Sequence, residues 1–147
     1  MSLLEQINQD LKISMKERDK NRTGTLRMLK SALKYAEIEA KNSLDDGAVL
    51  TVISKQVKQR RDSIEQFKKA DRTDLVDSEA AELAVLEAYL PAQLSPTEIE
   101  ERAKAVIGEL GVTNMKGMGQ VMKRLTAELK GQADGKTVSQ VVRQLLS

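Results

Sequence analysis

The sequence predicts an all-α protein: an N-terminal four-helix bundle-like part followed by a smaller C-terminal part of three or four helices. Three observations lead there. Apolar residues recur at steps of three and four along most of the 147 residues. Residues that start and stop helices punctuate those runs, from Ser2 with Glu5 to Gly131. No segment alternates apolar and polar residues over a useful length, so no strands are expected.

A capping box of Ser2 and Glu5 opens the first helix, with Leu4, Ile7, Leu11 and Met15 on one stripe. The polar run Asp19–Gly24 is expected to end it. The second helix carries Leu26, Leu29, Leu33, Ala36 and Ala40, a spacing that suits a nearly antiparallel neighbour. NSLDDG at 42–47 reads as a connecting turn. The third helix shows Leu50, Ile53, Val57, Ile64 and Phe67 and fades at Lys68–Asp71. A fourth opens near Thr73, shows Leu75, Leu83, Leu86 and Leu90, and is stopped by Pro91.

Both prolines lie in LPAQLSP at 90–96, which sets the expected domains at 1–93 and 94–147. Ser95, Pro96 and Glu98 then supply an N-cap, a proline at the first helical position and a capping-box acid. That helix carries Ile99, Ala103, Val106 and Leu110 and ends at Gly111. Another runs from about Met115 to Lys130, with Met118, Val121, Met122, Leu125 and Leu129, and Gly131 as its cap. The last starts near Asp134 and carries Val138, Val141, Val142 and Leu145. The methionines are expected to fill core.

Composition disfavours most enzymes. The chain has no cysteine and no histidine, so disulfides, thiolate metal sites and Ser–His or Cys–His pairs do not exist in it. No catalytic residue, metal or cofactor is expected, and a reducing, cytoplasmic compartment is the default. Tyr35, Phe67 and Tyr89 are the only aromatics, too few for a base-stacking platform. There is no run of eighteen apolar residues, so no membrane span is expected. MSLLEQINQDLK carries acids instead of a basic-then-apolar pattern, so no secretory leader is expected either. The glycine-rich phosphate loop is absent. The carboxylate pairs Asp45–Asp46 and Glu100–Glu101 fall in a turn or at helix starts, where they satisfy helix ends.

Charge is unevenly distributed. Residues 1–43, 44–70, 71–112 and 113–147 carry net charges of +3, +2, −7 and +4. The basic end holds the most suggestive segment, KGMGQVMKRLTAELKGQADGK at 116–136. Lys116, Lys123 and Lys130 are spaced by seven, Arg124 flanks them, and Lys136 and Arg143 follow. On a helix this is either a solvated face or a surface that grips phosphates along a nucleic-acid backbone. Gly117 and Gly119 weaken a helix, and permit either a close helix crossing or a close ligand backbone.

Arg60 interrupts the third helix's apolar stripe. Either it pairs with a carboxylate of a neighbouring helix, with Glu37, Glu39 and Glu79 as candidates, or it meets an anion together with Arg61. The acidic helices over 74–101 solvate a face or contact a basic partner.

The stretches LRMLKSALKYAEIE (26–39), KQRRDSIEQF (58–67), RTDLVDSEAAELAVLEAYLP (72–91) and KGMGQVMKRLTAELKGQADGKTVSQVVRQLL (116–146) together resemble the YqeY proteins, small bacterial proteins also called GatB/YqeY domain proteins. The resemblance implies an N-terminal helical bundle and a smaller helical domain joined near Leu94. It also implies that the C-terminal part is similar to the tail domain of the B subunit of the tRNA-dependent amidotransferase. That enzyme amidates glutamate or aspartate mischarged on tRNA, with glutamine as amido donor, and its tail helps to hold the tRNA. Lys116, Gly119, Lys123, Lys130, Gly131, Ala133, Asp134 and Lys136 fall on the tail-type pattern. Gln132 stands where the family often has a base, and Gly117 where an acid is usual.

Nothing in the chain resembles the amidotransferase's catalytic cradle. Any carbon–nitrogen ligase activity would therefore be inherited from the larger enzyme in name only. The resemblance implies a non-catalytic accessory protein that contacts tRNA or another structured RNA. The alternatives are a protein-interaction adaptor of the translation machinery and a genuine amidotransferase component.

Overall fold

Side-chain caps set most of the helix starts. Ser2 accepts from the Glu5 N–H at 3.1 Å while the Glu5 carboxylate accepts from the Ser2 N–H, closing the expected capping box of α1 (Leu3–Lys16). Asp19 accepts from the Arg22 N–H and starts α2 (Lys20–Ala40). Asp45 does the same for α3 (Asp46–Lys69) through the Ala48 N–H. α4 (Thr73–Glu87) begins without a side-chain cap. Ser95 and Glu98 close a second capping box at α5 (Pro96–Leu110), and Gly111, in the left-handed region, ends it. A 3-10 turn (Met115–Gly117) leads into α6 (Met118–Glu128), and α7 (Gly135–Leu146) is last. The structure, a computed structural model, describes residues 1–147 and contains no strand, so the all-α expectation holds.

Two compact units result, Met1–Leu90 and Pro91–Ser147. The stretch after Leu90 packs with the second unit: the Leu94 N–H donates to the Gln132 carbonyl at 2.8 Å, and the Gln93 side chain donates to the Gly131 carbonyl at 2.7 Å. The N-terminal unit buries Ile7, Leu11, Leu26, Leu29, Leu33, Val49, Ile53, Val57 and Leu86 between its four helices. The C-terminal unit buries Ile99, Ala103, Val106, Val121, Leu125, Leu129, Val138, Val142 and Leu146 between its three. Each fully buried leucine, isoleucine or valine contributes about 1.5–3 kcal/mol.

Three sequence expectations change. Asp19–Gly24 is not a linker but the first turn and a half of α2. The connection is only Glu17–Asp19, reversed by Arg18 at φ 56°. The inward line of α1 ends on Ser14, not Met15. Met15 is half-exposed, while Ser14 is fully buried with its hydroxyl donating to the Leu11 carbonyl at 2.8 Å. The helix expected over Met115–Lys130 is shorter at both ends, because Asn114 caps a 3-10 turn first and Leu129 closes α6.

Candidate nucleic-acid interface

The shortened α6 changes the expected geometry. Lys116 sits on the 3-10 turn, Lys123 in the middle of α6, and Lys130 beyond its end. The seven-residue spacing therefore does not run along one continuous helix. Lys136 and Arg143, also seven apart, do share one: both lie on α7, on its exposed face with Gln140 and Ser147. Gln140, Arg143, Gln144 and Ser147 line an open groove there.

Ion pairing sorts the cations. Arg124 donates to Glu109 of α5 at 2.7 Å and to Glu128 of its own helix at 3.0 Å. The Glu128 and Glu109 carboxylates raise its pKa above the ordinary arginine value. Its charge is thus neutralised locally and is withdrawn from an outside ligand. The other ion pair of this unit is Lys104 with Glu100. Lys116, Lys123, Lys130, Lys136 and Arg143 are all exposed and have no carboxylate partner.

The glycines separate as well. A β-carbon on Gly117 would run into the Val112 side chain, so this glycine serves a close packing of the 3-10 turn. Gly119 faces open space. Gly131 takes φ 77°, and a β-carbon there would lie 3.3 Å from the Pro91 ring. The carbonyls of Gly131 and Gln132 already accept from Gln93 and Leu94, so this turn is fixed in place. The Asp134 side chain leaves the N-terminal N–H groups of α7 without a side-chain cap, next to Lys136.

The second candidate site resolves into structure. Arg60 is 8% exposed and bridges α3 to α4, donating to Glu79 at 3.2 Å and to Glu82. Glu79 was a candidate partner, whereas Glu37 and Glu39 make no such contact. Glu82 is a partner outside the expected set, one turn from Glu79 on the same face of α4. Arg61 pairs with Glu87 at 2.9 Å. Nearby, the Tyr89 hydroxyl donates to Asp10 at 2.6 Å, and burial together with that carboxylate pushes its pKa up. No group of three or more acidic side chains is placed to hold a metal ion.

A family model described as Yqey-like protein matches residues 4–146. This chain belongs to the YqeY-like family. Similar proteins include one from Pyrenophora tritici-repentis named altered inheritance of mitochondria protein 41, mitochondrial. It is 32% identical over 148 aligned positions, covering 98% of this chain and 81% of that one. Proteins of the same name from Lachancea thermotolerans and Eremothecium gossypii are 38% identical over 112 and 114 positions, covering 74% and 76% of this chain. In those two the match spans 59% and 62% of the relative's own length.

Two expectations are overturned here. The relatives come from fungi, so the YqeY-like family is not confined to bacteria. Their names say mitochondrial, which corrects the cytoplasmic expectation. Absence of cysteine rules out disulfides, but it selects no compartment.

Proposed function

We propose that this YqeY-like protein is a non-catalytic accessory protein whose C-terminal unit holds tRNA, or another structured RNA, by its backbone. The relatives' names carry a mitochondrial setting into this reading. The observation that supports it is that Lys116, Lys123, Lys130, Lys136 and Arg143 are exposed and partnerless, as is Arg102 on α5, in contrast to the paired Arg124. Lys130 and Lys136 flank a turn held by backbone hydrogen bonds, beside the uncapped start of α7. Such a surface reads phosphate spacing and helix shape, not base identity. The choice of tRNA among structured RNAs rests on the resemblance read at Lys116, Lys123, Lys130 and Lys136 to an amidotransferase tail pattern. The reading assigns no bond-making step: the chain has neither histidine nor cysteine to serve as base or nucleophile.

Binding of tRNA to the purified chain tests it. Five phosphate contacts imply that affinity falls by roughly a few hundred-fold between about 50 and 200 mM salt. Replacing Lys123 and Lys130 with glutamate abolishes binding and leaves helicity unchanged. Absence of binding at low salt, or binding indifferent to that double substitution, overturns the proposal.

A further inference from the structure

The most unusual surface of the molecule lies elsewhere, on the outer side of α2. That helix buries Thr25, Leu26, Leu29 and Leu33 inward. Its opposite side carries a second line: Gly24, Met28, Ser31, Tyr35 and Ile38, at steps of four, three, four and three. Met28, Tyr35 and Ile38 are 56, 66 and 67% exposed. Single exposed apolar residues are ordinary, but three in register on one helix form a seam. The steps are those of the a and d positions of a heptad.

One border of this seam is basic. Lys20, Arg27 and Lys34 recur every seven residues along α2, the last two just before the a residues Met28 and Tyr35, and Lys41 follows as the left-handed C-cap. All four are exposed, and none forms an ion pair. A groove beside the seam is lined by Met15, Arg18, Lys20, Thr23, Gly24 and Arg27. Gly24 meets nothing within 4 Å of a β-carbon position, which leaves room for a knob from a facing helix.

We propose that the outer seam of α2 docks an amphipathic helix of a partner protein whose flanking positions are acidic. The apolar line supplies the contact area, and the basic row selects the partner and its register. A second copy of this chain fits poorly. An antiparallel pair sets the basic row against itself. A parallel pair sets it against Thr25, Ala32 and Glu39, which offer one acid to the three cations on the helix. Phosphate binding would use the row but gives Tyr35 and Ile38 no role, while Met28 already meets the Arg60 guanidinium through its sulfur at 3.9 Å. The inference is independent of the RNA reading, since it uses neither those residues nor that unit.

The test uses two synthetic three-heptad peptides with leucine at a and d, one carrying glutamate and the other lysine at e and g. Each repels itself and is monomeric alone. The full chain is expected to bind the glutamate peptide at least about tenfold more tightly than the lysine peptide. Tyr35→Glu and Ile38→Glu, both on an exposed face and checked for unchanged helicity, weaken binding by about tenfold or more. Arg27→Glu with Lys34→Glu reverses the preference, while Lys123→Glu with Lys130→Glu leaves it unchanged. Equal affinity for the two peptides overturns the proposal, as does indifference to Tyr35→Glu. So does self-association, or binding to anionic phosphatidylglycerol vesicles or tRNA, that Ile38→Glu removes.

Discussion

The two units solve the problem of charge in opposite ways. In Met1–Leu90 polar groups go inside: Ser14, Thr25 and Arg60 are the buried polar residues of the chain, and all belong to this unit. In Pro91–Ser147 the buried residues are all apolar, and the arginine that is paired, Arg124, lies on the surface. A core that contains a guanidinium specifies which helices meet, because only α4 brings Glu79 and Glu82 to Arg60. The C-terminal core of valine, leucine, isoleucine and alanine holds no charge, so the ion pairs of that unit lie at the surface. The contrast lies in the cores, since both units carry exposed cations without partners, Lys20, Arg27 and Lys34 among those of the first.

The largest effect that tests this contrast is at Arg60. Arg60→Ala removes the only cation facing Glu79 and Glu82 and opens a cavity between α3 and α4, costing about 3 kcal/mol. Urea unfolding measures it, and adding Glu79→Gln and Glu82→Gln restores part of the loss. Arg124→Ala, at the exposed pair, leaves the unfolding midpoint nearly unchanged. Equal losses at the two arginines would erase the difference between the units.

The next effect concerns packing in the C-terminal unit. Gly117→Ala drives a methyl group into Val112 and costs about 1–3 kcal/mol. Pairing it with Val112→Ala relieves the clash. Gly119→Ala, in open space on α6, stabilises by up to about 1 kcal/mol. Thermal melts of the three variants decide it. A loss at Gly119 as large as at Gly117 would show that both glycines serve packing.

Sequence periodicity made most of the fold legible, because caps are local. Ser2 with Glu5, Ser95 with Glu98, and Gly111 each act within a few residues of themselves. Errors arose where a distant group decides. Steps of three and four allow either Ser14 or Met15 after Leu11. The choice falls to Ser14 because Thr23 of α2 donates to its hydroxyl at 2.9 Å, across nine residues. Gly24 weakens α2 without ending it, since the Asp19 cap lies upstream and Leu26 and Leu29 anchor the helix in the core. At the candidate interface, the cations were visible as residue types, but their sorting depended on which ones meet a carboxylate. Glu109, fifteen residues away, removes Arg124 from the free set. The outer seam of α2 was hidden for a related reason: its apolar residues were indistinguishable by type from those of the inward stripe.

The smallest expected effect is also internal to the N-terminal unit and depends on pH. Tyr89 follows α4, and its hydroxyl reaches Asp10 of α1, seventy-nine residues away. Burial, reinforced by the adjacent carboxylate, raises the phenol's pKa above its ordinary value of 10.0 in the folded chain. In the unfolded chain the phenol ionises near that ordinary value, so above about pH 10 the unfolded state binds fewer protons than the native one. The stabilisation is fully present below that pH and is lost as pH rises through the folded-state value. Tyr89→Phe removes the hydrogen bond and costs about 1 kcal/mol near neutrality. Urea midpoints of wild type and Tyr89→Phe therefore differ at about pH 8 and converge toward about pH 11. A gap that persists undiminished at the alkaline end would mean that Asp10 does not hold the phenol neutral, and that the internal polar contacts of this unit reduce to Arg60 and the two buried hydroxyls.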